Sequence, residues 1–430
     1  MNILFLMADE FRFNAAGFMG NAVARTPHLD RLAHRAFISR NAYTPAPVCV
    51  PARQCLATGK YPLHIGCEQF GDDIAPGSQT FARWFSDHGY YTVVCGKLHH
   101  RGPDQMQGWL HRIGSETAVR WPEKYADRAQ IGRRKWRGAE ELKEAGVGLS
   151  PLAIHDEYSV QGACDFVQTH FGGMTATPPE TPLLLMLSLQ QPHFPLLTEQ
   201  ALYDHYDERV PIFWDQPSAN HPKLDRGRLG PEQGIEPEDV RRATAAYYGM
   251  VEQTDRRVGR LVDALEKAGQ NLDDWIVVFT ADHGDMLGEH GVWEKRSFYE
   301  GSARVPFFVS GPGIKSSRSD NVMNLVDVFP TLAHLAGLPA PGDLDGGNIF
   351  DPKRPEQTFS QYDRDCFMLR RGNLKYLRYP EGEDVLFDLQ SDPGETRNCR
   401  TDHAYEEVAA ELCGGLDAFI ATSCAPRQDR

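Results

Sequence analysis

Acidic and imidazole side chains with the chemistry of metal ligands follow two segments that read as β-strands. Asp9 and Glu10 come directly after the apolar run 2–7, and Asp282 and His283 come shortly after the apolar run 275–280. In open α/β sheets, ligands gather at the carboxyl ends of the strands. Carboxylate and imidazole groups at such a place suit a divalent ion such as calcium, magnesium or manganese.

A third candidate, Cys49, opens a segment through Arg53 to Thr58 that reads as a helix. A helix N-terminus offers backbone donors and the positive end of the helix dipole to an anion. A divalent ion beside it can polarise a sulfate or phosphate oxygen and lower the pKa of an attacking hydroxyl. Each piece also has an ordinary alternative, since Asp9 could cap a helix and Asp282 with His283 could form a turn.

The elements that must position these residues alternate between strand-like and helix-like segments. This alternation predicts the α/β class, with a large, mixed, mostly parallel sheet sandwiched by helices. Strands are expected over 2–7, 91–95, 182–189, 275–280 and 306–310, and helices over 27–36, 79–88 and 241–268.

The texture of the chain changes after about residue 340, where turns rich in Pro, Gly and Asp begin. Residues 367–377 read as a hairpin around Gly372 and Asn373, and a short helix is expected over 405–418. We therefore predict a catalytic domain over 1–340 and a small C-terminal α+β subdomain over 341–430.

The composition is that of a soluble globular protein, because 41% of the 430 residues are hydrophobic and 24% are charged. The formal net charge of −14 disfavours binding to nucleic acid. No apolar run approaches the roughly 20 residues that a membrane span needs. The N-terminal apolar run is short and lacks a basic flank, so it is read as a strand and not as a signal peptide.

The nine cysteines are odd in number and form no C-x-x-C pair. This argues against a disulfide framework and against a zinc ribbon, and it fits reduced thiols. Together with the absence of a recognisable leader, it predicts a cytoplasmic protein.

The pentapeptide Cys49-Val50-Pro51-Ala52-Arg53, with Thr58-Gly59 shortly after it, resembles the signature of the formylglycine-dependent sulfatase family within the alkaline-phosphatase-like superfamily. Matching segments are 2–9, 26–30, 49–62, 96–99, 192–195 and 280–291. The spans 96–109 and 282–306 look most like the bacterial choline-sulfatase branch.

The resemblance implies that Cys49 is oxidised after translation by a formylglycine-generating enzyme. The hydrate of the resulting aldehyde would attack sulfur. One divalent metal ion is implied as well, with calcium foremost and manganese or magnesium as alternatives. Its implied ligands are Asp9, residue 49, Asp282 and His283, and Glu10 is a further candidate.

The resemblance also assigns catalytic roles. Arg53 would hold the formylglycine hydrate, and Lys97 and Lys295 would bind the sulfate oxygens. His193 or Lys295 would protonate the departing alcohol. His99 would take a proton from the second hydroxyl of the hydrate to expel sulfate, so that hydrolysis proceeds in two covalent steps.

Ordinary readings of the same side chains stay open. Lys97 and Lys295 could be surface lysines, and His193 could have a structural role between two prolines. His100 is a rival to its neighbour His99, although the family spacing favours His99.

The chain departs from the family pattern in several places. Glu10 stands where many members carry a second metal-binding Asp, so its ligation is open. His283 replaces the Asn of many arylsulfatases, as in choline sulfatases and phosphonate monoester hydrolases. Ala52 replaces a common Ser, which we expect not to prevent processing. The sequence is also short at its C-terminus for a choline sulfatase, which leaves choline specificity open.

Three functions follow from these observations. The first is a sulfuric ester hydrolase that cleaves an alkyl or carbohydrate sulfate, and the second is a phosphonate monoester or phosphodiester hydrolase with the same site. The third is a non-catalytic metal- or anion-binding protein in which Cys49 stays a thiol. The expected partners are a small-molecule or saccharide sulfate ester and the formylglycine-generating enzyme, without nucleic acid or membrane, and a homo-oligomer is possible.

Two further groups of residues are ambiguous. Aromatic side chains could stack on a sugar or cage a quaternary ammonium, although we favour a core role for them: Trp109, Trp121, Tyr125 and Trp136. The basic run 133–137 could meet an anionic substrate, but a solvated loop is favoured.

Overall fold

The computed structural model describes residues 1–114, 136–214 and 216–422. These residues form fifteen strands: β1 (Ile3–Ala8), β2 (Phe37–Tyr43), β3 (Tyr91–Gly96), β4 (His111–Ile113), β5 (Gly146–Val147), β6 (Leu183–Ser188), β7 (Leu197–Thr198), β8 (Ile276–Ala281), β9 (Arg304–Ser310), β10 (Ser317–Ser319), β11 (Met323–Asn324), β12 (Gln357–Tyr362), β13 (Cys366–Arg371), β14 (Leu374–Arg378) and β15 (Val385–Asp388).

The α-helices within the same residues are α1 (Pro27–Ala33), α2 (Cys49–Thr58), α3 (Pro62–Ile65), α4 (Phe81–Asp87), α5 (Ala139–Lys143), α6 (Pro151–Phe171), α7 (Gln200–Tyr206), α8 (Pro237–Lys267), α9 (Glu300–Ala303), α10 (Val328–Leu335) and α11 (Glu406–Ala421). The predicted elements are all present, with shifted ends. Helix α1 ends at Ala33 and not at residue 36, and α8 begins at Pro237, where a proline suits the first helical turn.

Nine strands form one large sheet in the order β10-β2-β9-β8-β1-β6-β3-β4, with β11 paired to β2. Strand β9 runs antiparallel to β2 and β8, and the other pairings recorded in this sheet are parallel. Every residue of the central strands β1, β6 and β8 is buried, as expected for strands with both faces covered. The predicted mixed, mostly parallel α/β sheet is confirmed.

The sheet order brings four strand ends together. Strands β8, β1, β6 and β3 are consecutive neighbours and all run in the same direction. Ala8 pairs with Ala281, and Gly96 pairs with Ser188, so these strands end at the same level. The residues that follow, Asp9, Asp282 and Lys97, therefore leave the sheet at one edge.

A second sheet follows near the C-terminus, with four antiparallel strands in the order β12-β13-β14-β15. The predicted hairpin is formed by β13 and β14, and Arg371 pairs with Leu374 across its turn. Helix α11 buries Leu412 and Leu416 in one cluster with Leu369 of β13. This small antiparallel sheet with its helix agrees with the predicted α+β unit, whereas the domain boundary near residue 340 stays a prediction.

The ambiguous aromatic residues are partly resolved. Trp109 is buried and packs edge-on against Phe81, as a core residue would. Trp136 packs against Phe194 at 5.2 Å between ring centroids. Trp121, Tyr125 and residues 133–135 of the basic run lie outside the described residues. Among the helices of the described ranges, none combines the length and apolar character that a membrane crossing requires.

Candidate active site

Helix α2 presents Cys49 and Arg53 on one face. The helix begins at Cys49, and Arg53 follows four residues later, a spacing that places two side chains one turn apart on the same side. The helix ends at Gly59, whose positive φ of 67° lets its N–H bond the Cys55 carbonyl at 2.8 Å. Both side chains are buried, and burial raises the pKa of the Cys49 thiol.

The Arg53 guanidinium joins four parts of the site. Nε donates to Asp282 Oδ2 at 2.7 Å, and Nη2 donates to Asp9 Oδ2 at 3.0 Å. Nη1 donates to Ser188 Oγ at 2.8 Å and to the Lys97 carbonyl at 3.1 Å. Burial acts to lower the Arg53 pKa, but Asp282 and Asp9 outweigh it and raise the pKa above its usual range. The guanidinium is therefore a fixed cation within the site.

Asp9 carries two positive neighbours. Besides Arg53, Lys97 Nζ makes a hydrogen bond with Asp9 Oδ2. Burial would raise the Asp9 pKa, but Lys97 and Arg53 outweigh it and hold the pKa well below the ordinary value. The side chain is therefore a carboxylate, which is the form that can bind a metal ion.

Glu10 occupies a neighbouring position with different partners. Its Oε2 accepts a hydrogen bond from Lys295 Nζ at 2.9 Å and lies 3.4 Å from His193 Nε2. Burial raises the pKa of Glu10 well above its ordinary value, and Lys295 only partly offsets this effect. The backbone of Glu10 has a φ of 61°, and its N–H donates to Asp282 Oδ1 at 3.0 Å. Glu10 therefore contacts the predicted metal ligand Asp282 through its backbone. Through its side chain it contacts the two predicted proton donors, Lys295 and His193.

Four predicted ligands come together around one point. Ligand atoms of Asp9, Cys49, Asp282 and His283 all lie within 4.8 Å of one another, and a second such group joins Asp9 with Glu10 and His193. His283 Nδ1 lies 3.0 Å from the Gly284 carbonyl, so a proton on Nδ1 leaves the Nε2 lone pair available.

Several buried atoms of this group lack a hydrogen-bond partner among the described residues and are of kinds that bind cations. Within the part of the chain that the structure describes, buried atoms without a hydrogen-bond partner include Asp9 Oδ1, Glu10 Oε1 and His283 Nε2. A buried polar atom without a hydrogen-bond partner destabilises the folded state. These three atoms are carboxylate oxygens and an imidazole nitrogen, which are all kinds of atom that bind metal ions. The donor set of carboxylate oxygens and one imidazole nitrogen therefore fits a divalent metal ion.

The two predicted histidines of the acid–base steps lie beside this group. His193 Nδ1 lies 2.8 Å from the Phe194 carbonyl, and burial lowers the pKa of His193 well below its ordinary value, with Lys295 adding to the effect. Burial also lowers the pKa of His99 strongly, and Lys97 acts in the same direction. Burial therefore disfavours the protonated form of both rings in the free protein. His100, the rival of His99, instead faces Asp73 at 3.3 Å.

Sequence reasoning missed two side chains that support the site. Ser188, at the end of β6, accepts a hydrogen bond from Arg53. A polar residue at the end of an otherwise apolar run was the available signal, because Asp9, Lys97 and Asp282 lie at the ends of neighbouring strands. Asp156 on α6 accepts hydrogen bonds from the backbone leading to His193. Nothing in its sequence neighbourhood pointed to that contact.

Comparison with known proteins identifies the family. The family described as "Sulfatase" matches residues 1–338. The chain belongs to the sulfatase family. Residues 288–421 of this sulfatase also match the family "N-sulphoglucosamine sulphohydrolase, C-terminal". Membership places the protein among the hydrolases of sulfate esters.

Curated relatives agree with this membership over most of the chain. The sulfatase is 29% identical to a choline-sulfatase of Rhizobium meliloti over 428 residues, which cover 92% of this chain and 82% of the relative. It is also 29% identical to an arylsulfatase of Clostridium perfringens, covering 94% of this chain and 91% of the relative. A choline-sulfatase is therefore among the relatives of this chain, as the resemblance to that branch led us to expect.

Solved structures share the fold. The phosphonate monoester hydrolase of Agrobacterium radiobacter superposes with a TM-score of 0.78 at 21% identity, covering 98% of this chain and 96% of that one. The structure of BT4656 in complex with D-glucosamine-2-N,6-O-disulfate superposes with a TM-score of 0.76 at 20% identity, covering 100% and 99%. At this identity the two neighbours show that the sulfatase shares their fold.

Proposed function

We propose that this sulfatase hydrolyses an alkyl or carbohydrate sulfate ester with a formylglycine made from Cys49 and one divalent metal ion. The observation that carries the proposal is the convergence of Asp9, Cys49, Asp282 and His283 within 4.8 Å at the start of a buried helix. A nucleophile there would meet both a metal ion and the helix N-terminus.

Asp9, residue 49, Asp282 and His283 would hold the metal ion, and Glu10 is a further candidate. When bound, the ion polarises a sulfate oxygen and lowers the pKa of an attacking hydroxyl. Calcium is the favoured ion because carboxylate oxygens dominate the set, and manganese or magnesium are the alternatives. Formylglycine, once made, supplies the hydroxyl that attacks sulfur.

The chain's own cations would stabilise the charge of the transferring group. Lys97 and Lys295 are buried, and burial acts to lower their pKa values. Asp9 outweighs burial and raises the pKa of Lys97, and Cys49 and Glu10 do the same for Lys295, so both stay charged. Arg53 holds Asp9 and Asp282 in place and faces residue 49 one turn away on the helix. Preorganised cations in a site that excludes water stabilise negative charge more than they would in solution.

Proton transfer would involve His193, Lys295 and His99. His193 presents Nε2 beside Lys295 and Glu10. Either Lys295, or His193 once the negative charge of a bound sulfate favours its protonated form, would protonate the departing alcohol. His99 is held neutral by its surroundings and could accept a proton from residue 49. These assignments give the acid step to His193 or Lys295 and the base step to His99.

The alternative activity is hydrolysis of phosphonate monoesters or phosphodiesters. Its specific basis is His283, the residue type that resembles phosphonate monoester hydrolases at this position. A nucleophile and a metal ion serve phosphoryl transfer as well as sulfuryl transfer. The protein shares its fold with a phosphonate monoester hydrolase, but a shared fold does not identify the substrate.

The test is the ratio of kcat/KM for an aryl sulfate and an aryl phosphonate ester, measured with protein co-produced with a formylglycine-generating enzyme. A strong preference for the sulfate is expected. A preference for the phosphonate would establish the alternative. The mass of the peptide that contains residue 49 reports its conversion, so that inactivity from an unmodified thiol is recognised directly.

Several expectations from the sequence stay predictions. They are the cytoplasmic location, maturation by a formylglycine-generating enzyme, a small-molecule or saccharide sulfate as substrate, and a possible homo-oligomer.

A further inference from the structure

The loop that carries His193 is held by a buried carboxylate on another element. Asp156 lies on α6 and has no solvent exposure. Its Oδ1 accepts a hydrogen bond from the Gln190 N–H at 2.8 Å, and its Oδ2 accepts one from the Gln191 N–H at 2.9 Å. Each oxygen of the carboxylate therefore accepts a hydrogen bond from one of two consecutive backbone amides.

The same loop is held a second time through the side chain of Gln191. Arg257 of α8 donates to Gln191 Oε1, and Gln191 Nε2 donates to Gln253 Oε1 at 3.1 Å. Arg257 also donates to Glu157, the neighbour of Asp156 on α6, at 2.8 Å. Two helices thus hold one short backbone segment.

His193 depends on that segment for its own placement. Its N–H donates to the Gln190 carbonyl at 3.0 Å, and its Nδ1 lies 2.8 Å from the Phe194 carbonyl. These contacts orient the ring so that Nε2 lies 3.4 Å from Glu10 Oε2, inside the site. A shift of the Gln190 and Gln191 backbone would move His193 Nε2 with it.

We propose that Asp156 is a positioning residue for His193, since it fixes the backbone that aims Nε2 at the departing alcohol. The inference rests on the proposed role of His193 in leaving-group departure. A carboxylate is required because two N–H donors need two acceptors. An asparagine would offer one acceptor and turn its NH₂ group toward the other backbone N–H.

The test compares leaving groups in the Asp156→Asn variant. An acidic phenol departs with little help from an acid, whereas an alkyl alcohol needs a proton at departure. General acid–base groups contribute about 100- to 10,000-fold, so misplacing one is expected to lower kcat/KM for an alkyl sulfate roughly 10- to 100-fold and for an activated aryl sulfate by no more than about threefold. The control is Asp165→Asn, at an exposed position of the same helix, which is expected to leave both rates unchanged.

His193→Ala, measured on the same two substrates, separates the possible failures. If His193→Ala lowers both rates equally, the proposed role of His193 is wrong and the inference falls with it. If His193→Ala is selective for the alkyl sulfate but Asp156→Asn lowers both rates equally or neither, only the positioning role of Asp156 is overturned. Matching selectivity in both variants supports the proposal.

Hydrogen exchange gives a readout that needs no active variant. In the wild-type protein, the Gln190 and Gln191 amides are expected to exchange slowly because Asp156 accepts from both. Fast exchange of these two amides in the wild-type protein would overturn the proposal, even if Asp156→Asn fails to fold. In a folded Asp156→Asn variant, the peptide over residues 189–195 is expected to exchange faster than in the Asp165→Asn control.

Discussion

Arg53 Nε donates a 2.7 Å hydrogen bond to Oδ2 of Asp282, which lies 229 residues further along the chain. Both side chains are almost fully buried. The contact joins the first turns of helix α2 to the end of strand β8. It therefore ties the position of the predicted nucleophile to that of a predicted metal ligand through one guanidinium.

Replacing Arg53 by lysine is expected to damage both stability and activity. One ammonium cannot reproduce the three-sided contacts with Asp9, Asp282 and Ser188. Breaking a buried ion pair costs about 3–5 kcal/mol, so Arg53→Lys is expected to lower the free energy of unfolding by about 3 kcal/mol in urea titrations. The loss of an aligned positive group is expected to reduce kcat/KM for an aryl sulfate roughly 100-fold.

The control is Arg371→Lys, because Arg371 forms an ion pair with Glu411 at the surface. Exposed pairs contribute about 0–1 kcal/mol, so that variant is expected to match the wild-type protein. Full activity of Arg53→Lys would contradict the role of the guanidinium in the site.

Cys49→Ala is expected to abolish turnover and to leave the fold intact. The side chain is small and buried at the start of α2, so losing its sulfur removes little packing, whereas the nucleophile cannot form. The measurements are kcat on an aryl sulfate and the melting temperature. Cys55→Ala, a buried cysteine in the same helix, is the matched control and is expected to retain turnover. An unchanged rate for Cys49→Ala would remove residue 49 from the mechanism.

Asp282→Asn is expected to lower both the metal content and the rate. Asp282 Oδ1 accepts from the Glu10 and His283 backbone, and an asparagine at this position would turn donors toward Arg53 or toward the metal ion. The metal content is measured by elemental analysis of the purified protein. Asp285→Asn is the control, since Asp285 is buried nearby and accepts from the Leu287 N–H at 2.7 Å outside the ligand group. Full occupancy in Asp282→Asn would exclude this residue from the ligand set.

Asp255 is expected to make stability fall as the pH rises. It accepts hydrogen bonds from the first turn of α1, at 2.8 Å from the Leu29 N–H, and burial raises its pKa from 3.8 to about 7. Between these two values the folded protein binds the proton and the unfolded chain releases it. The free energy of unfolding therefore decreases across this range, by up to about 4 kcal/mol for one such group, and changes no further above it.

Asp255→Asn removes this group, so its melting temperature relative to the wild-type protein is expected to rise between pH 4 and pH 7. The difference between the two proteins is the quantity to measure, because other groups titrate in both. Asp263→Asn, at an exposed position of the same helix, is expected to follow the wild-type curve. A difference that stays constant with pH would show that Asp255 is charged throughout.

Much of the fold could be predicted because its signals are local. The apolar run after Asn2 becomes β1, and the run before Ala281 becomes β8, since fully buried strands are continuous apolar segments. Their ends were also visible, because a charged residue cannot continue a buried strand without a partner. Asp9 and Asp282 could therefore be placed at strand ends before the order of the strands was known.

The short edge strands were not predicted, because their signals are weak. Strands β10 and β11 are only three and two residues long. Such segments pair because a neighbouring strand presents free backbone groups, and their own sequence does not require it. The start of α8 was placed too late for a similar reason, since its first turn is polar and exposed.

The sequence by itself determined which side chains could do chemistry: the Cys49 motif, the carboxylates after two strands and the lysines and histidines of the family segments. Only the tertiary structure decided how they meet. The parallel order β8-β1-β6-β3 brings Asp282, Asp9 and Lys97 to one edge, and Arg53 then bonds to all three. The support of His193 by Asp156 also belongs to the tertiary structure, because a hydrogen bond between distant segments depends on packing and leaves no periodic pattern in the chain.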